Sequence, residues 1–132
     1  MSIYLASPMA STKKLNEYSF CDEKFSSNEK IAEKLSKAGY DIFLPQKNQL
    51  VTAKETYENE IRQIRDCEFL IILLSDTRGI YLEAGYAKAI GKKIYAIRLP
   101  ETRKMSEWAN YWYDYIAENV EELIEYLKKN GN

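Results

Sequence analysis

Phe69-Leu70-Ile71-Ile72-Leu73-Leu74 is an unbroken apolar run of six residues. A strand with one wet face alternates apolar and polar side chains; this run leaves no position for water. It predicts a central strand of a parallel sheet, covered by helices on both faces. It is also far shorter than the roughly 20 residues needed to cross a bilayer.

The rest of the chain supplies the alternation that such a sheet needs. Ile3-Tyr4-Leu5-Ala6 reads as a short buried strand stopped by Ser7-Pro8, with a polar loop from Met9 to Lys24. Ser26 or Ser27 can cap a helix carrying Ile31, Leu35 and Ala38, ended by Gly39 at the position after the cap. Tyr40 to Leu44 predicts a second strand, closed by Pro45. Lys54 to Asp66 predicts a helix with Tyr57, Ile61 and Ile64 on one face, and with Glu58 and Arg62 spaced as a surface ion pair. After the central strand, Ile80 to Ile90 reads as a third helix and Lys93 to Leu99 as a fourth strand. The remainder reads as helical, with a break near Glu118-Asn119. Trp108, Tyr111, Trp112 and Tyr115 share one helical face, suited to the domain's own sheet or to a subunit interface. Val120, Leu123, Ile124 and Leu127 form a final core-facing stripe.

The order βαβαβαβα implies an α/β, flavodoxin-like (Rossmann-like) doubly wound sheet, in one domain spanning 1–132. The expected strand order is 2-1-3-4, with room for a short fifth element. Ligands of such sheets bind beyond the carboxyl ends of the strands where the order reverses, here Tyr4 to Met9 and Ser75 to Glu83.

Several functions are disfavoured at once. Nineteen basic residues face twenty acidic ones, a net charge of -1, which argues against nucleic acid or a membrane surface as partner. The chain has no histidine, so Ser-His, Cys-His and His-metal mechanisms are excluded. Carboxylates, tyrosines and backbone groups are left to carry any chemistry. Cys21 and Cys67 are too few for a disulfide framework and lack metal-ligand spacing. Both read as reduced thiols, Cys67 as a buried one. No metal and no cofactor is expected. The first residues run straight into a strand without a basic or apolar leader, which predicts a cytoplasmic protein.

The stretch from Ser75 to Ala87 holds the most chemistry. Glu83 is expected near the first turn of its helix, where the dipole favours an ionised carboxylate. Such a group either complements the helix end on a wet face or is held ready to attack a sugar carbon. Ala84, Gly85, Ala87 and Ala89 are small enough to bring the helix close to the sheet.

Three pieces, in order, carry a resemblance: Ile3-Tyr4-Leu5-Ala6-Ser7-Pro8, then Gly39-Tyr40-Asp41-x-Phe43-x-Pro45 with the helix of Glu60, then Gly79-x-x-x-Glu83-x-Gly85-Tyr86-Ala87-x-Ala89-x-Gly91-Lys92. The chain resembles, from about Ile3 to Pro100, the nucleoside 2-deoxyribosyltransferase family, which includes 2′-deoxynucleoside 5′-phosphate N-hydrolases. The resemblance implies that Glu83 is the nucleophile at C1′ and that Tyr4 orients it. Glu60 would join base binding and proton traffic, as Glu where related transferases have Asp. Many relatives carry an acid two places before Gly79; here Thr77 stands there and Asp76 one residue earlier. Either Asp76 protonates the base from a shifted turn, or Thr77 serves through its hydroxyl. Ala6, Ser7, Pro8 and Gly79 would line the substrate, and Asn110 would be lent by a neighbouring subunit of a homo-oligomer. Ser7, Ser11, Lys13, Lys14 and Arg103 are candidates for a 5′-phosphate. The implied substrate is a small nucleoside or nucleotide. Three readings follow: a deoxyribosyltransferase, a nucleoside 5′-monophosphate N-glycosidase, and a non-catalytic nucleotide-binding module.

Overall fold

Strand parity decides the architecture. The structure, a computed structural model, describes residues 2–10, 20–100 and 102–131. Five strands, β1 (Ile3–Ala6), β2 (Ile42–Phe43), β3 (Leu70–Leu74), β4 (Ile94–Arg98) and β5 (Tyr115–Ala117), form one parallel sheet in the order β2-β1-β3-β4-β5. Ile3, Leu5, Ile71, Leu73, Tyr95 and Ile97 point to the face covered by α1 (Asp22–Lys37) and α5 (Val120–Lys129). Tyr4, Ala6, Leu70, Ile72, Leu74, Ile94 and Ala96 point to the other, covered by α2 (Ala53–Asp66) and α3 (Gly79–Ala89). Because successive residues of a strand alternate faces, Tyr4 must look towards α2 and α3. Every residue of β3 is buried, as its composition requires.

The first helix begins earlier than the serines suggest. Cys21 occupies its N-cap without a side-chain hydrogen bond, and Ser26 and Ser27 lie inside it. Asp22 and Glu23 in the first turn supply the charge complement that a capping hydroxyl would otherwise share. Its stripe Asn28-Ile31-Leu35 turns inward, and Asn28, 1% exposed, donates from Nδ2 to the Pro8 carbonyl at 2.7 Å and to Gln46 Oε1 at 2.9 Å. Asn28 therefore fastens the segment after β1 to a 3₁₀ turn at Pro45–Lys47. Asn28→Ala should cost about 2 kcal/mol, the usual cost of stranding buried hydrogen-bond partners; the urea midpoint measures it. Gly39 ends the helix at φ +103, a conformation that β-carbons resist.

The predicted second strand shrinks to Ile42–Phe43 because it lies at the sheet edge with one neighbour. In α2 the expected pair Glu58–Arg62 does not form. Glu58 faces Lys54 at 3.8 Å, and Arg62 donates to Asn59 Oδ1 at 2.6 Å. The inward stripe of α2 is Thr56, Glu60 and Ile64, while Tyr57 is 64% exposed. In α3, Ala84 and Ala87 pack against the sheet, but Ala89 is exposed and a β-carbon on Gly85 would meet nothing within 4 Å.

The C-terminal aromatic segment departs most from expectation. Only α4 (Glu107–Asn110) is helical, and Tyr115–Ala117 pairs with Tyr95, Ala96 and Ile97 as β5. The open edge of β4 offers a ladder, and Asp114 starts it. Its N–H donates to the Ile94 carbonyl at 2.8 Å, and its carboxylate accepts from the Ile94 N–H at 2.8 Å. The supposed helical face is thereby split. Trp108 and Tyr111 are exposed, Trp112 packs near α3, and Tyr115 stacks on Tyr126 at 3.8 Å on the α5 side. The stripe of α5 is buried at Val120, Leu123 and Leu127.

Candidate active site

Three elements aim a polar group at one point. Tyr4 is fully buried in β1, and its ring stacks on Phe43 of β2 with centroids 5.3 Å apart. Glu60 sits on the inward stripe of α2, between Thr56 and Ile64. That helix is fixed at its start by Thr52, whose hydroxyl accepts the Glu55 N–H at 3.1 Å. Glu83 shares the inward stripe of α3 with Ile80, Ala84 and Ala87. The Tyr4 hydroxyl meets Oε2 of Glu83 in close hydrogen-bond contact and lies 3.3 Å from Oε2 of Glu60.

The electrostatics differ from the expectation for a helix start. Glu83 is the fifth residue of α3, beyond the first turn, so free N–H groups do not hold its charge. Burial pushes its carboxyl up to about 7; the Tyr4 bond opposes this and the charge of Glu60 adds to it. Burial also raises Glu60, against hydrogen bonds from Tyr4 and Gln49. Gln49 donates as well to the Pro45 carbonyl at 2.9 Å, which ties Glu60 to the loop before α2. Burial and both carboxylates keep the Tyr4 phenol protonated well beyond the usual range.

The other candidate residues occupy the adjoining strand ends. Ala6 is buried in β1, and Ser7 follows at 5% exposure, its Oγ buried without a partner among the described residues. The Pro8 carbonyl is taken by Asn28. Beyond β3, the Ser75 and Thr77 hydroxyls are paired at 2.9 Å, and Tyr81 donates to the Ser75 carbonyl at 2.6 Å. The Asp76 carboxylate is engaged by exposed Arg103 at 3.1 Å. Gly79 opens α3 with free space where a β-carbon would stand. Asn110 is exposed at the end of α4, apart from the Tyr4 contacts. Ser11, Lys13 and Lys14 lie outside the described residues. Tyr81, Ala84, Met105, Trp108, Trp112 and Tyr113 line an apolar cavity of about 190 Å³ between α3 and α4. Among the described residues, no group of three Cys, Asp or Glu is set to hold a metal ion, and no helix is long and apolar enough to cross a membrane.

Sequence reading missed Asn28 and Gln49, and placed Ser75 and Tyr81 in the site region without their contacts. Asn28 could have been found, since it is the polar member of an apolar stripe. Gln49 had no such signal, because its partner Glu60 lies eleven positions along the chain in α2.

Two carboxyl groups meet one phenol at the switch point of a parallel sheet. The 2-deoxyribosyltransferase of Bacillus psychrosaccharolyticus superposes with a TM-score of 0.78 at 20% identity, covering 96% of this chain and 92% of its own. The 2-deoxyribosyltransferase of Leishmania mexicana gives 0.69 at 19% identity, covering 99% of each chain. The CMP N-glycosidase of Clostridium botulinum gives 0.64 at 16%, covering 97% and 99%. No curated protein sequence matches significantly. The sequence profile of the nucleoside 2-deoxyribosyltransferases matches residues 3–125, and the chain belongs to that family.

Proposed function

We propose that this protein is a nucleoside 2-deoxyribosyltransferase that cleaves the N-glycosidic bond through a glycosyl ester on Glu83 and passes the sugar to a second base. The contact between the Tyr4 hydroxyl and Glu83 carries the reading, because it fixes one carboxyl oxygen and leaves the other free to attack. C–N cleavage passes through an oxocarbenium-like state that needs negative charge at C1′ and a proton for the departing base. Glu83 supplies the charge. Glu60 is the better-placed proton donor, since Asp76 is occupied by Arg103. Ala6, Ser7, Pro8, Thr77 and Gly79 bound the substrate, and the protein works in the cytoplasm, in nucleotide salvage, as a homo-oligomer to which Asn110 contributes. The reaction as written uses no cofactor.

One observation favours hydrolysis of a nucleoside 5′-monophosphate instead. The Ser7 Oγ, at the end of β1 and without a partner among the described residues, is a hydroxyl ready to donate to a phosphate. Incubation with a deoxynucleoside and a second free base should give base exchange. Release of sugar phosphate from the monophosphate, with no exchange, transfers the assignment to the N-glycosidase. Binding without turnover in either mixture removes both.

A further inference from the structure

Tyr4 has one hydroxyl proton, yet two carboxyl groups reach its oxygen. A phenol donates one hydrogen bond and accepts others. With both carboxyls ionised, one of them would press a lone pair against those of the phenol, in a site largely withdrawn from water. One added proton resolves the conflict. Either carboxyl can then donate to the phenol oxygen while the phenol donates to the other, without any heavy atom moving.

Among the described residues, the surroundings of this proton are mostly apolar, with the Cys67 thiol, itself raised by burial, in the same cluster. Tyr4 comes from β1, Glu60 from α2 and Glu83 from α3, while β3 and β4 face them with Leu70, Ile72, Ile94 and Ala96. The loop before α2 adds Gln49, a neutral amide. Among the described residues, the charges acting on these three groups are their own. Burial raises both carboxyls, so a shared proton persists towards neutrality, and the phenol never needs to ionise.

We propose that Glu60, Tyr4 and Glu83 form a relay carrying one proton, and that its passage from Glu83 through the Tyr4 hydroxyl to Glu60 creates the nucleophile and the acid in one move. The Glu83 proton goes to the Tyr4 oxygen as the Tyr4 proton goes to the Glu60 carboxylate, with no change in net charge. The use of this relay in turnover rests on the deoxyribosyltransferase reading. There the freed Glu83 oxygen pair bonds to C1′, the C–N pair leaves with the base, and the base takes the proton held by Glu60. The acceptor base or water surrenders a proton to Glu60 as it attacks, and the broken C1′–O bond returns the Glu83 carboxylate. Tyr4 is a positioning residue in this scheme.

The test needs no substrate. Glutamate carrying ¹³C at the side-chain carboxyl reports each group in an NMR pH titration of the whole protein. In the wild type, the signals of Glu60 and Glu83 should both move through one step near neutrality, because the proton is divided between them. In Tyr4→Phe, one of the two signals alone should follow that step. Should Tyr4→Phe fail to fold, Glu60→Gln should lower the Glu83 midpoint by about one pH unit or more, since the neighbouring charge is gone. The proposal is overturned if Glu83 alone moves in the wild type, or if its midpoint is indifferent to Glu60→Gln. Base exchange can fail while the titrations stay linked, and the reverse, so the two conclusions stand or fall separately.

Discussion

Glu83→Gln is expected to lower the rate of sugar transfer by on the order of 10⁴-fold or more, with the fold intact. The amide keeps the size and shape of the carboxyl, and its carbonyl can still accept from the Tyr4 hydroxyl. What it loses is the negative oxygen that bonds to C1′. The loss should fall on kcat, with KM little changed, because in the proposed reaction Glu83 bonds to the sugar only during the chemical step. Glu60→Gln should be milder, about 10²- to 10³-fold, since it removes proton delivery rather than the bond-forming atom. Single-turnover measurement with a deoxynucleoside separates the two effects. Glu83→Gln retaining a tenth of wild-type turnover would refute the glycosyl ester.

The parts of this molecule that were legible in its sequence are those decided by local pattern. Leu70–Leu74 could be read as a central strand because burial on both faces removes alternation, a signal contained in the residues themselves. Gly39 and Gly91 mark helix ends because positive φ excludes most side chains. Glu83 was found through a motif; its helical register alone favoured a wet face. Glu60 shows why periodicity misleads. Tyr57, Ile61 and Ile64 look like the apolar side of α2, yet the inward stripe is Thr56, Glu60 and Ile64, and a half-buried carboxyl is what a hydrophobicity count reads as surface. The C-terminal aromatics failed for a different reason. Trp108, Tyr111, Trp112 and Tyr115 keep helical spacing, but the unpaired edge of β4 draws Tyr115–Ala117 into the sheet, and no window of local sequence contains that edge. Gln49 and Ser75 took their places from contacts that exist only after the chain has folded.

The buried carboxyl also sets a stability trade against pH. In the folded protein Glu83 ionises at about 7, against an ordinary value of 4.5. The folded state thus binds more protons than the unfolded state between these values, and stability must fall as pH rises through that window. The sign is opposite to that of a salt-bridged carboxylate. The contribution is fully present below about 4.5 and is gone above about 7. Its size follows from the displacement of the ionisation and is as much as about 3 kcal/mol. Glu83→Gln removes this carboxyl from the titration and leaves Glu60 alone, so its stability should lack the part of the step that Glu83 contributes. Relative to the wild type, the variant should gain steadily from acid to neutral pH, reaching a melting-temperature advantage of roughly 10 °C over its relative position in acid. Calorimetry of both proteins at matched salt across the window measures it. A difference that is constant at every pH would mean that the Glu83 carboxyl is solvated in the folded protein, and a variant that loses ground towards neutrality would mean that the fold stabilises the carboxylate. The variant is thus expected to be the more robust protein at neutral pH, because the charge proposed to attack the sugar is one that burial disfavours in the folded chain.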